Sequence, residues 1–361
     1  MKVDKVFSSI PATVRIGEAS DGPVHCFDDT EGADPRFAIY AAIGAERPLL
    51  VLGEPGVGKT QLAEAAAVAQ GRLLVPYVVN ARTEPRDLLY VFDPVARLAE
   101  AQIRGNSENR DDVASRLEVA NFVAPGPLWW AFNWNSAARQ AKRAKTGYMY
   151  SAKRWRDAKG ALLLIDEIDK AESDLPNALL EAFGSRRFSV LGGKTVRQKG
   201  IPPLVIVTSN GERDLPDAFI RRCVVLRLRY PCDVGPYPTS AGESGATNEE
   251  RCQKFSEFLA ARGEKIYAES QAISRRVLRL AGLRLARERL LAVENEVRPL
   301  PGQAEYLDLI RALVAITNEA WSDPDEHAIV GGISRFGKNR DQFQEALMEQ
   351  VADLFLRKAK E

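Results

Sequence analysis

The chain has 361 residues, 45% hydrophobic and 27% charged, enough core material for one large and one smaller unit of a soluble globular protein. A formal net charge of +1 excludes a global pull toward nucleic acid or an anionic membrane, so such binding would need a local patch. No apolar run approaches the roughly 18 residues of a membrane span, and Met1-Lys2-Val3-Asp4-Lys5 lacks the apolar core of a secretion signal. Cys26, Cys223, Cys232 and Cys252 show no C-x-x-C spacing, and His25 and His327 are the two histidines. That pattern argues against zinc and for free thiols in a reducing cytoplasm.

In chain order, the apolar run at residues 48–53 predicts a strand, and Gly53-Glu54-Pro55-Gly56-Val57-Gly58-Lys59-Thr60 follows it. A helix-forming stretch then begins at Gln61 and reaches residue 69. Glycines at this spacing let backbone N–H groups curl around phosphate oxygens, and the helix start adds its positive dipole end. Lys59 can reach the outer phosphates and the Thr60 hydroxyl can hold Mg²⁺. Gly53 through Gln61 are therefore the candidate nucleotide-binding residues.

A second strand is predicted at 73–80. The polar, helix-rich stretch 89–122 reads as an insertion ahead of Pro125-Gly126-Pro127. Trp129-Trp130 fits either a partner-facing patch or packing of the insertion on a sheet. Arg139, Lys142, Arg143, Lys145, Lys153, Arg154 and Arg156, interleaved with Tyr148, Tyr150 and Trp155, could grip a nucleic acid. A solvated basic face is the commoner meaning of such a run, and no groove-reading motif accompanies it.

Leu162-Leu163-Leu164-Ile165-Asp166-Glu167 predicts a buried strand with two carboxylates at its end. Asp166 suits a Mg²⁺ shell, and Glu167 can accept a proton from an attacking water. The alternative is a strand capped by acidic residues that open the next helix. Residues 187–197 read as a hairpin with a Gly-Gly turn. A strand at 203–210 closes on Thr208-Ser209-Asn210, where Asn210 could orient water or sense a phosphate; Asn at a strand end is also ordinary turn chemistry. A short helix at 217–222 ends in Arg221-Arg222, either dipole partners or a finger reaching a neighbouring nucleotide. The last strand is 223–228. Strands alternating with helices predict an α/β fold with a mostly parallel sheet covered on both faces.

Beyond Tyr230-Pro231 the chain becomes rich in Gly, Pro, Ser and Thr, and 233–249 reads as a linker. Four helical stretches follow, about 250–261, 268–297, 303–321 and 341–359. The third carries Tyr306, Leu307, Ile310, Leu313 and Val314 at helical spacing. The loop holding Gly331-Gly332 and Gly337 separates the last two stretches. The division expected is 1–232 for the nucleotide domain, with an insertion at about 88–124, and 250–361 for an all-α domain.

The glycine loop, Leu-Leu-Leu-Ile-Asp-Glu-Ile-Asp-Lys, Thr-Ser-Asn and Leu215-Pro216-Asp217-Ala218-Phe219-Ile220-Arg221-Arg222 resemble, in that order, the AAA+ ATPases. Within them the chain is similar to the MoxR-like ATPases of the helix-2-insert clade. That likeness is carried by Phe122-Val123-Ala124-Pro125-Gly126-Pro127-Leu128, by Leu179-Leu180-Glu181-Ala182-Phe183 and by the 187–197 hairpin, which matches the clade's pre-sensor hairpin. It covers about residues 30–232 well and the rest loosely.

The resemblance implies a P-loop sheet with a C-terminal helical lid, binding ATP with Mg²⁺. Lys59 and Thr60 would be the Walker A pair, Asp166 and Glu167 the Walker B pair, and Asn210 sensor 1. Arg222 would be the arginine finger with Arg221 beside it, and Asn80 a restraint on the catalytic glutamate. It further implies a cytoplasmic homo-oligomeric ring, most often a hexamer, that remodels or assembles a protein partner. A nucleic-acid-linked motor or defence-system ATPase is the alternative, and a scaffold that binds ATP with little turnover is a further one. The family's sensor-2 arginine has Glu305 in its place, with Arg298 and Arg311 as open substitutes.

Overall fold

Five mainly apolar runs, with charge only at the last residue of β3 and of β5, form one sheet: β1 (Leu49–Leu52), β2 (Leu73–Val78), β3 (Ala161–Asp166), β4 (Leu204–Ser209) and β5 (Val224–Arg227). The computed structural model describes residues 10–16, 24–27, 34–104, 110–144, 152–230, 247–267, 272–322, 329–330, 333–334 and 338–356. The strand order is β5-β1-β4-β3-β2, every pair parallel. Parallel central strands are covered on both faces. Accordingly, all six residues of β3 and all six of β4 are buried.

Helices cover the sheet: α1 (Pro35–Ala45), α2 (Lys59–Gln70), α3 (Pro127–Phe132), α4 (Trp134–Arg143), α5 (Asp174–Ser185) and α6 (Asp217–Ile220). Alanine dominates α2, and Ala63, Ala65, Ala66 and Ala67 are buried, so small side chains bring this helix close to its neighbours. Trp129 and Trp130 on α3 are 0% and 2% exposed, and the Trp129 indole N–H donates to Ser136 Oγ at 3.2 Å. Packing, not a partner-facing patch, accounts for both tryptophans. The insertion stands between two short antiparallel strands, Tyr90–Phe92 and Val123–Pro125. The expected hairpin forms from Arg187–Ser189 and Thr195–Arg197, with Gly192 and Gly193 at positive φ in its turn.

The described residues divide into two compact units. One lies within Met1–Val14, Ala33–Leu52 and Thr60–Arg227; the other lies within Arg15–Gly32, Gly53–Lys59 and Leu228–Glu361. The boundary passes between Lys59 and Thr60. The second unit contains α7 (Asn248–Tyr267), α8 (Arg275–Glu294), α9 (Gln303–Ser322) and α10 (Arg340–Leu356). Tyr306, Ile310 and Leu313 are buried as their spacing predicts, joined by Leu309; the Tyr306 hydroxyl donates to Leu278 O at 3.1 Å. Arg284 ties α8 to α10 through Asp353. The proposed linker lies outside the described residues from 233 to 246, and α7 takes in residues 248 and 249. Residues 268–271 and the glycines of the 331–337 loop also lie outside them. Residues 272–274 are not helical, and α8 begins at Arg275, later than the expected 268, because the Ser274 side chain accepts the Val277 N–H and caps it there.

In the second unit His25 is 5% exposed and meets Phe27 edge-on at 4.8 Å, and its Nδ1 has no hydrogen-bond partner among the described residues. Burial, helped by the Arg262 charge, lowers its pKa from 6.5 to about 3. The unfolded chain therefore takes up a proton that the folded one refuses between these values. Stability is expected to be full above pH 6.5 and to fall as pH drops toward 3. Urea midpoints taken from pH 7 to 4 should decline in the wild type, and decline less steeply in His25→Phe.

Candidate active site

The sheet register sets the first cluster, in the unit that begins again at Thr60. Ser209 pairs with Leu52 and Val207 with Ile165, so β4 ends level with both neighbours and Thr208 lies beside Asp166. Ligand-binding groups of open parallel sheets gather at these carboxyl ends. The Thr60 hydroxyl, in the first turn of α2, lies 3.0 and 3.2 Å from the two Asp166 carboxylate oxygens. Thr208, fully buried, donates its hydroxyl to Asp166 Oδ1 and accepts the Glu167 backbone N–H at 2.9 Å.

Glu167 has φ +59 and ψ +48, the left-handed region that a side chain rarely occupies. Ile168–Lys170 form a single 3₁₀ turn behind it, and the next α-helix, α5, opens only at Asp174. The two carboxylates therefore do not simply cap a helix. A backbone held in a sparse conformation at a strand end costs about 1–3 kcal/mol and collects at functional positions. The Glu167 carboxylate accepts from Lys170 Nζ at 2.6 Å and from Asn210 Nδ2 at 3.4 Å. That bond raises the Lys170 pKa. Asn80, expected to restrain this glutamate, instead accepts the Arg82 N–H in an exposed turn.

Sequence reasoning passed over Asp169, which is 1% exposed. Its carboxylate accepts the Asn210 N–H at 3.1 Å and the Glu212 N–H at 2.9 Å, fixing the turn that aims the Asn210 amide. Its place three residues after Asp166, on the far side of one short turn, was the available signal. Burial and the Asp166 charge raise the pKa of Glu64, which stands one helical turn beyond Thr60.

The second cluster is the glycine loop in the other unit. Gly56 at φ +78 and Gly58 at φ +96 need the freedom that lacking a Cβ gives. Lys59, 7% exposed, curls back to donate to Gly53 O at 2.7 Å and Glu54 O at 2.8 Å. A Cβ placed at Gly56 would lie 3.5 Å from the Ala304 Cβ and 3.8 Å from a Glu305 carboxylate oxygen. Glu305, where an arginine was expected, accepts the Gly302 N–H at 2.9 Å. Arg311 pairs with Asp308 at an exposed site. The cation at the loop is instead Arg289 of α8, 2% exposed and paired with Glu54, a residue not foreseen. It also donates to Pro301 O at 2.9 Å and lies 5.1 Å over the ring of Tyr230. Burial pushes the Tyr230 hydroxyl up to about 12; it accepts the Gln303 N–H at 3.0 Å.

Arg221 and Arg222 follow α6 and are exposed. In the basic segment, Trp155 stacks flat on Trp134 at 4.6 Å, and Arg143 pairs with Glu118. The stacked Trp155 ring serves packing rather than a platform for bases. Lys145, Tyr148 and Tyr150, with the side chains of Lys153 and Arg154, lie outside the described residues. Cys223 and Cys252 are free thiols; burial raises both, Cys223 to about 12, so neither is a ready nucleophile. Among the described residues no helix is long and apolar enough to cross a membrane.

A parallel sheet in this strand order, a glycine loop running from β1 into α2, and a hydroxyl–carboxylate pair at the strand ends define a P-loop ATPase. Residues 48–114 and 127–223 match the family described as AAA domain (dynein-related subfamily). Those two segments carry an AAA domain, and the chain is an ATP hydrolase. The unmatched stretch between those segments includes the Val123–Pro125 strand that closes the insertion. No curated protein matches the chain. Among solved structures, a candidate ATPase from Cytophaga hutchinsonii aligns over 90% of this chain and 88% of its own, at 17% identity and a TM-score of 0.33.

Thr208→Val would strip Asp166 of a donor and leave the Glu167 N–H without its acceptor, at a cost of about 1–3 kcal/mol. Asp169→Ala would leave the Asn210 and Glu212 N–H groups without their carboxylate acceptor and release the Asn210 turn. Both variants should show lower urea midpoints and lower turnover, whereas Thr208→Ser should keep most of each.

Proposed function

We propose that this ATPase works as a MoxR-like ring that remodels or assembles a protein partner, with residues 53–60 holding the triphosphate. One observation carries the hydrolytic assignment: Thr60, Asp166, Thr208, Glu167 and Asn210 form one continuous hydrogen-bonded set. Lys59 and the loop amides bind the phosphates. Glu167 takes the proton of the attacking water, and Asn210 orients that water. A carboxylate that shares its oxygens between an amide and an ammonium is held in one pose, as a general base requires.

The Thr60 hydroxyl and Asp166 carboxylate are hard oxygen donors about 3 Å apart, which fits Mg²⁺. That ion is usually held by one or two protein groups with water and phosphates completing its shell. These two residues would hold it, and the ion would neutralise charge on the phosphates. Arg222 is exposed, which a residue acting on a neighbouring subunit requires. A trans arginine implies a ring, and a hexamer is the size the family resemblance favours.

Lys59→Ala should abolish ATP binding or turnover. Glu167→Gln should keep binding and lose about a hundredfold or more in turnover. Equal single-turnover rates in Glu167→Gln and wild type would leave this residue without a catalytic task. Arg222→Ala should bind ATP without hydrolysing it, and wild-type activity should fall on dilution. Full activity of Arg222→Ala as a monomer would rule out a trans finger. Proteins that co-migrate only with Glu167→Gln would name the partner class, and hydrolysis stimulated by DNA and suppressed by salt would favour a nucleic-acid motor instead.

A further inference from the structure

A guanidinium 2% exposed to water is costly unless an anion meets it. Arg289 has that anion in Glu54, the second residue of the phosphate-binding loop, 235 positions away in the chain. The arginine itself is locked. It donates to Pro301 O, and its planar head lies over Tyr230, whose hydroxyl is engaged by the Gln303 N–H. The carboxylate is not locked to the same degree: Glu54 is 24% exposed, on a loop whose neighbouring residues Pro55 and Gly56 are open to solvent.

This loop receives a polyanion, and a carboxylate is the wrong charge to stand beside one. Coulomb repulsion between Glu54 and a bound phosphate, and attraction of that phosphate to Arg289, act in the same direction. The second carboxylate at the loop, Glu305, is held by the Gly302 N–H. Arginine forks suit phosphate oxygens as well as they suit carboxylates.

We infer that Arg289 is a nucleotide-binding residue whose resting partner, the Glu54 carboxylate, is exchanged for a phosphate of the incoming nucleotide. The inference rests on the reading of residues 53–60 as the nucleotide loop. The exchange makes Glu54 a built-in competitor. Because Arg289 is rooted in α8, it also reports the loop's occupancy to the helical part of the same unit.

Titration calorimetry of the full chain with a non-hydrolysable ATP analogue and Mg²⁺ tests the idea through opposite signs. Glu54→Gln keeps a polar side chain on a half-buried loop position and should bind the analogue about tenfold more tightly, the scale of one charge-assisted bond. Arg289→Lys, which keeps the charge and loses the fork, should bind more weakly, and Arg289→Gln more weakly still. The double variant should behave as Arg289→Gln. If Arg289→Gln melts far below wild type, Glu54→Gln decides the matter alone. Weaker or unchanged binding in Glu54→Gln beside normal wild-type binding would show a merely structural pair and overturn the exchange. Failure of the wild type to bind the analogue would instead overturn the nucleotide-loop reading, and the exchange with it.

Discussion

The Thr208 hydroxyl donates to Asp166 and accepts the Glu167 N–H, and the polar cluster at the carboxyl ends of the sheet depends on that double use. Two successive residues at the end of β3 are held by one side chain of β4. Asp166 stays in line with its strand and faces Thr60, while the chain turns sharply at Glu167 into the left-handed region. A fully buried hydroxyl is well suited to this task, because water does not compete for either bond. The parallel register of β4 with both β1 and β3 is what makes the contact possible, so the interior leucines of the sheet are as much part of the site as its carboxylates.

Around that point the polar groups form successive layers. Asp169 fixes the backbone of Asn210 and Glu212. Asn210 and Lys170 then share the Glu167 carboxylate. Each layer restricts the next, so the Glu167 carboxylate is kept within a narrow range of geometry. The deepest layer is buried and the outermost is partly exposed, so precision is built from inside and access is left at the surface.

The glycine loop follows a different logic. Its own conformation is set by glycines at positive φ and by Lys59 turning back on Gly53 and Glu54. Its surroundings in the same unit carry Arg289, Glu305 and Tyr230, all from the region after β5. Two carboxylates and one immobile guanidinium beside an anion-binding loop make the local charge balance responsive to what the loop holds. An ordinary stabilising pair would be replaceable by apolar side chains; a pair that includes a loop residue is tied to the loop's occupancy.

Periodicity and motif spacing in the sequence were sufficient for all five strands of the sheet, the glycine loop, the hairpin at 187–197 and the four C-terminal helical stretches. Those signals are local: an apolar run long enough for one strand, a glycine where φ must be positive, a repeat at helical spacing. The pairing of Thr60 with Asp166 could be expected from motif order alone. Asp169, Lys170 and Arg289 could not be assigned, because their partners lie across a turn, on another strand or 235 residues away. The two tryptophans and the basic, aromatic stretch were ambiguous for a related reason, since an aromatic residue reads the same in a core as on a surface. Which charges meet, which rings are buried and where Glu305 stands depended on how the chain packs, because distance in space, not distance in sequence, sets the strength of an ion pair or a hydrogen bond.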